Sequence, residues 1–293
     1  MGSSASKRPS LAGAVVLRGE PFAPDVLMVQ QGAGGSWRLP VASMGPDEYV
    51  AACAARAGRT DAQLGIRLGT PIAASPVGDG ARPVAWWRAQ VTISGLASVG
   101  DGIDHIVWLP AREAADRAAG TGDELVIGRA VALADTVPIM LVRHGKAMAR
   151  SDWSGRDQAR PLTARGRRQA VALTPLMTAY GVTRLASSTS TRCVKTLVPY
   201  GFAEQLEIEG WSTLSEEQAE SSVRAVDKLM RRLIDQTLES GQPLAICGHR
   251  PVLPGMLAAL GIPARQLRPG ACVVAHLDSS GHRVGVEYHP PRL

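Results

Sequence analysis

Two rhythms divide the chain. Over roughly the first 136 residues the apolar positions come in short runs bounded by turn residues. They predict strands over 12–17, 26–30, 67–73, 84–93 and 105–109. Helical spacing appears over 47–57, where Pro46 stands where it can begin a helix, and again over 111–119 and 123–134. Strands and helices mixed in this way predict an α+β unit.

From residue 137 the strands become continuously apolar and alternate with helices. The expected order is strand 138–142, helix 163–180, strand 183–187, helix from 191, strand 205–209, helix 218–239, strand 243–247, helix 252–260, then strands 272–277 and 283–288. Strands apolar on both faces predict a mostly parallel, doubly wound sheet covered by helices on each side. The expectation is an α/β protein of two domains, residues 10–136 and 137–293.

Composition narrows the class without changing this division. The 293 residues are 45% hydrophobic and 20% charged, which excludes a chain disordered throughout. Aromatics are only 4%, so the cores must be aliphatic. No apolar run approaches the ~18 residues of a membrane-spanning helix. The first ten residues are small, polar and basic and lack the apolar middle of a signal peptide, so a cytoplasmic location is expected. The four cysteines and six histidines are dispersed, which argues against a zinc cage or disulfide framework and for buried free thiols.

Charge is uneven. Residues 1–136 carry 12 Lys/Arg against 13 Asp/Glu, and residues 137–293 carry 20 against 13. Eight of the cations fall within 143–168, beside Asp152 and Asp157. Such a cluster implies an anionic partner. Nucleic acid is disfavoured because no aromatic side chains interleave with the cations.

Ligands of open α/β sheets bind beyond the carboxyl ends of the strands. Two histidines fall there, His144 after 139–143 and His249 after 244–248, with Arg143 beside one and Arg250 beside the other. A third strand ends in Ser187-Ser188-Thr189-Ser190-Thr191-Arg192, a hydroxyl-rich turn opening a helix that suits an anion. Plain helix capping would leave Arg192 in solvent. Glu216 and Glu217 follow Leu214-Ser215, where a carboxyl can serve as general acid.

These pieces, LVRHGKA (141–147), SSTSTR (187–192), LSEE (214–217) and CGHRPVLP (247–254), resemble the histidine phosphatase superfamily, and 151–170 is similar to its small branch related to phosphohistidine phosphatases. The resemblance implies a reaction without metal or cofactor. His144 is the implied nucleophile, and Arg143, Arg192 and His249 the implied clamp on the phosphoryl oxygens. Glu216 is the implied acid, with Glu217 as fallback. Lys146, Arg150, Ser188 and Arg250 are the candidate substrate-binding residues.

The first half resembles a degenerate Nudix (MutT-like) domain, through Trp37-Arg38-Leu39-Pro40 and HIVWLPAREAADR (105–117). The Nudix box binds magnesium through helical glutamates. Counting from Glu48 retains Arg56 but meets Ala57 and Thr60 at carboxylate positions, Asp61 at another, and Ala42 in place of the leading Gly. The reading is a domain that keeps the fold and lacks the diphosphatase. The whole chain resembles actinobacterial-type fusions of the two families. The leading expectation is therefore a phosphatase acting on a small phosphorylated, nucleotide-related substrate. It has no nucleic-acid or membrane partner, and a homodimer is compatible with the sequence. Two alternatives stand beside it: a Nudix-type hydrolase of nucleoside polyphosphates or 8-oxo-nucleotides with residual activity, and a non-catalytic nucleotide-binding or regulatory protein.

Overall fold

A computed structural model of the chain describes residues 9–32, 34–73, 83–92, 97–219 and 223–293. Two compact units meet in the sequence between Ala134 and Asp135.

The first unit runs β1 (Leu11–Glu20), β2 (Ala23–Gln30), β3 (Trp37–Arg38), β4 (Val41–Ser43), α1 (Val50–Ala62), β5 (Ile66–Ile72), β6 (Val84–Val91), β7 (His105–Pro110), α2 (Ala111–Arg117) and α3 (Asp123–Ala132). Its sheet has the order β3-β2-β1-β6-β5, with β4 joined to β1 and β7 to β2. Among the described strand pairs of this sheet, β1 and β6 run parallel and the rest antiparallel. One core joins Val15, Leu17, Val26 and Met28 of the sheet to Val126, Ile127 and Ala130 of α3. On the other helix, Ala51, Ala52, Ala54 and Ala55 are buried, so α1 lies close to its neighbours.

The helix expected over 47–57 begins three residues later, at Val50, and runs on to Ala62. Asp47 adopts φ 54°, a left-handed conformation that no helix can continue through, so Pro46 opens a turn instead. That turn is closed by the Gly45 amide donating to Glu48 Oε2 at 2.8 Å. Residue 93 of the expected 84–93 strand lies outside the described residues.

The second unit holds β8 (Val137–Arg143), α4 (Ala164–Ala179), β9 (Arg184–Ser187), α5 (Thr191–Ala203), β10 (Ile208–Gly210), α6 (Glu216–Ala219), α7 (Val223–Ser240), β11 (Leu244–Gly248), α8 (Leu253–Ala259), β12 (Cys272–Leu277) and β13 (Arg283–His289). The strand order is β10-β9-β11-β8-β12-β13. The first four strands are parallel, and β12 and β13 add antiparallel. Of the helix expected over 218–239, residues 220–222 lie outside the described residues, between α6 and α7.

Side-chain alternation splits the core of this sheet. Ile139, Leu141, Leu244 and Ile246 face a cluster with Val226, Leu229, Met230 and Leu233 of α7 and Met256 and Leu257 of α8. The α7 residues recur at i, i+3, i+4 and i+7, one stripe of a helix. Burying each such side chain is worth about 1.5–3 kcal/mol. The alternate strand residues, Met140, Val142, Ala245 and Cys247, are also fully buried and point to the opposite face. Helices thus cover both faces, and the polar groups collect where the parallel strands end.

Candidate active site

Strand register brings the two histidines together. In the parallel pair β11–β8, Cys247 stands opposite Val142 and Gly248 opposite Arg143. His144 and His249, each one residue further on, leave neighbouring strands at the same height. Their rings lie edge to face, 5.2 Å between centroids. On the other side of β11, Cys247 pairs with Ser187, which brings Ser188 to the same level.

The chain after His144 has little freedom. The Gly145 amide donates to Thr196 Oγ1 at 3.0 Å, and that hydroxyl donates to the Arg192 carbonyl at 2.7 Å, joining the loop to α5. A Cβ on Gly145 would lie 2.7 Å from the Gly166 carbonyl oxygen in the first turn of α4, so a side chain there would push the loop off the helix.

His144 is 9% exposed. Its Nδ1 lies 2.8 Å from the Gly145 carbonyl oxygen. A carbonyl only accepts, so Nδ1 carries the proton and Nε2 has a free lone pair. Burial, and after it the charges of Arg192, Arg143 and Arg160, pushes the imidazole down to about 4. The ring is therefore neutral and nucleophilic across the ordinary pH range.

His249 is fully buried. Its Nε2 meets Ser188 Oγ at 2.9 Å and the Cys193 thiol at 3.3 Å. Its Nδ1 has no hydrogen-bond partner among the described residues; Glu216 Oε2 is 3.9 Å away. Burial, then the charges of Arg192 and His144, pushes it down to about 2. With the Cys193 thiol donating to Nε2, the neutral ring presents Nδ1–H as a donor. Two more buried donors lack partners among the described residues, the Nε of Arg143 and of Arg192. Buried polar groups are normally satisfied, so these three donors, on residues whose ring or charge acts on His144, are groups an oxyanion would satisfy.

Arg192 is not in solvent. It is fully buried. Nη1 donates to the Asp157 carbonyl at 2.7 Å, and Nη2 to Asp157 Oδ2 at 2.9 Å and Glu216 Oε2 at 2.7 Å. Ser190 makes no side-chain cap to α5, so capping does not account for this segment. Arg160 donates to Asp157 Oδ1 at 2.9 Å, and the exposed Arg150 reaches Asp157 at 3.3 Å and Glu216 at 3.2 Å. Burial raises the Asp157 carboxyl, but its bond to Arg160 and the charges of Arg192, Arg160 and Arg150 outweigh this and hold it below the usual range. Asp157 stays ionised and anchors the arginines.

Of the residues expected from the sequence, His144 and His249 stand ring to ring, Glu216 joins Arg192 and Arg150 and lies 3.9 Å from His249 Nδ1, and Arg143 acts by charge on His144 and Glu216. Ser188 lies beside His249. It is fully buried and its hydroxyl is engaged with His249, with Ser190 Oγ and with the Ser190 amide. Lys146 is exposed, and its backbone forms the local contacts, donating to Gln169 and accepting from Thr163. Arg250 is exposed beside Arg143, whose guanidinium burial and this like charge both push down. Glu217 lines the outer pocket with Glu216. Asp157 and Arg160 were counted in the sequence only as part of a charged cluster. Their spacing three apart in a loop with no periodicity gave no further signal.

The carboxylates of the first unit are arranged otherwise. Glu48 receives Arg56 Nε at 2.9 Å and Nη2 at 2.8 Å. Asp61 receives Arg38 Nη1 at 2.8 Å and the Val41 amide at 3.3 Å. Among the described residues no group of three or more His, Cys, Asp or Glu could hold a metal ion, and no helix is long and apolar enough to cross a membrane. The four cysteines are free and buried.

Residues 139–220 match the model of the histidine phosphatase superfamily, branch 1. A curated relative, the 8-oxo-(d)GTP phosphatase of Mycolicibacterium smegmatis, is 33% identical over 303 residues, spanning 96% of this chain and 91% of the relative. The chain belongs to the histidine phosphatase superfamily. It is a phosphoric-ester hydrolase. Among solved structures, the protein histidine phosphatase SixA complexed with tungstate is similar at 20% identity and a TM-score of 0.44, covering 53% of this chain and 96% of that one. The mycobacterial glucosyl-3-phosphoglycerate phosphatase Rv2419c is similar at 16% identity and a TM-score of 0.40, covering 53% and 98%.

Proposed function

We propose that this histidine phosphatase hydrolyses a small, nucleotide-related phosphate through a phosphohistidine on His144, without metal, and that its first unit is a Nudix-like domain, residues 10–136, lacking diphosphatase activity. The observation that carries the reading is the His144 tautomer. Nδ1–H is held by Gly145, which leaves Nε2 free, with the His249 ring 5.2 Å away and the charges of Arg192 and Arg143 acting on the imidazole.

In the first step the Nε2 lone pair forms a bond to phosphorus and the P–O bond to the leaving group breaks. The Nε groups of Arg143 and Arg192 and the Nδ1–H of His249 donate to the equatorial oxygens, where charge is greatest in transit. Glu216 is the proton donor to the leaving oxygen. It lies closer to His249 and Arg192 than its neighbour Glu217, which belongs to the outer pocket. In the second step water attacks the phosphohistidine, Glu216 takes its proton, and inorganic phosphate leaves with His144 restored.

The first unit does not fit the magnesium its family would use. Such an ion bridging a diphosphate needs several carboxylates on one helix. Here Ala57 and Thr60 supply none, and Glu48 and Asp61 are each ion-paired to a different arginine. The name of the curated relative favours a nucleotide substrate.

Phosphate release from an aryl phosphate in EDTA tests the reading. The expected result is turnover by the wild type and less than a few per cent of it in His144→Ala. Magnesium-dependent diphosphate release that persists in His144→Ala would overturn it and return the chemistry to the first unit.

A further inference from the structure

Outside the phosphoryl dock lies a cavity of about 450 Å³, bordered by Arg150, Trp153, Asp157, Arg160 and the two glutamates 216 and 217. That volume is in the range of small-molecule sites, roughly 300–1,000 Å³. It shares Glu216, Asp157 and Arg150 with the network around Arg192, and Glu216 Oε2 lies 3.9 Å from His249 Nδ1, so it borders the site that holds the two histidines.

The aromatic residue at its wall is unlike the others. The chain has six tryptophans. Trp86 and Trp87 are buried in the first unit. Trp37, Trp108 and Trp211 each carry an arginine guanidinium over the ring, from Arg117, Arg18 and Arg232. Among the described residues no cation covers Trp153, and its ring borders the cavity.

The ring is also held in place. Its indole N–H donates to the Arg156 carbonyl at 3.0 Å. A Cβ on Gly155 would lie 2.8 Å from the six-membered ring, so only glycine lets the chain close against that edge. A pinned, uncovered aromatic wall offers stacking at little ordering cost. Arg150, Arg160 and Glu217 border the same cavity and bring charged groups of both signs to it.

We propose that Trp153 is a specificity residue on which the nucleobase of the substrate stacks, so that the substrate class is nucleoside 5′-phosphates. The inference rests on the reading that the phosphoryl group is delivered to His144. Base–aromatic stacking lost on truncation to alanine corresponds to about 10-fold or more in affinity.

The test compares guanosine 5′-mono-, di- and triphosphate with ribose 5-phosphate, which lacks the base, in the full-length wild type, Trp153→Ala, Trp153→Phe and His144→Ala. The wild type is expected to prefer at least one guanosine phosphate over ribose 5-phosphate by about 10-fold or more in kcat/KM. Trp153→Ala should remove that preference mainly through KM, with ribose 5-phosphate unchanged, and Trp153→Phe should restore most of it. Equal loss on both substrate types in Trp153→Ala, no loss on either, or a wild type that turns over an aryl phosphate but no guanosine phosphate would overturn the platform while leaving His144 as nucleophile. Undiminished turnover in His144→Ala would instead overturn the reading beneath it, and the platform with it.

Discussion

Carboxylates and arginines meet in both units, with opposite results. In the first, Glu48 has Arg56 to itself and Asp61 has Arg38. The first pair ties the turn ahead of α1 to that helix, the second ties β3 to its end, and the helix between is lined with buried alanines. In the second, Asp157 and Glu216 share Arg192 and Arg150, with Arg160 also on Asp157. One-to-one pairing saturates the charge of each carboxylate. Shared pairing around orphaned donors leaves capacity for an incoming anion. The contrast locates the chemistry more firmly than counting charges does.

The largest effect should come from the shared network. Arg192→Ala and His249→Ala are each expected to lose on the order of 10²-fold or more in kcat, the usual scale for a transition-state donor. Inhibition by vanadate should weaken in parallel, and unchanged turnover would show that the strand ends do not form one site. Asp157→Asn should cost about 10-fold, a modest share of such a loss, because it touches the reaction only by holding Arg192, Arg150 and Arg160. Normal kcat in that variant would show that the arginines need no anchor.

The pH profile sharpens the comparison further. His144 is held at about 4, well below its unfolded value of about 6.5. The acid limb that His144 imposes on kcat/KM should therefore lie near pH 4. The folded state binds fewer protons than the unfolded between those values, so stability should fall as pH drops from about 6.5 toward 4 while the nucleophile remains neutral. Chemical denaturation and initial rates across pH 4–7 separate the two. A His144 limb near 6.5 would contradict the burial argument.

The smallest catalytic effect is expected in the first unit. Glu48→Gln breaks a bidentate, half-buried pair and should cost roughly 1 kcal/mol of stability. Aryl-phosphate turnover should change by less than about twofold, since a loss of stability of that size leaves a folded protein folded and the bonds Glu48 makes are to Gly45 and Arg56 of its own unit. A large loss of turnover would show that the turn ahead of α1 supports the second unit's chemistry.

Much of the site was legible because it rides on long signals. Continuously apolar strands ending in Arg143-His144-Gly145 and Cys247-Gly248-His249 announce their own carboxyl ends, and parallel register does the rest. Arg192 was legible as a cation one residue into a helix. Asp157 and Arg160 were not, because they belong to a loop of short turns that only tertiary packing brings onto Arg192. The same limit explains α1. Pro46 reads as a helix start, yet the pull of Glu48 toward Gly45 and Arg56 forms a turn first. The two- and three-residue strands β3 and β4 are too short to carry any period.

The central claim is that His144 carries the phosphoryl group. Rapid quenching of wild-type protein turning over a ³²P-labelled phosphate in EDTA, followed by peptide mapping, tests it most directly. The account predicts an acid-labile, alkali-stable phosphate on the peptide containing His144, absent from His144→Ala. Turnover with no phosphorylated protein, or a label that survives in His144→Ala, would contradict it.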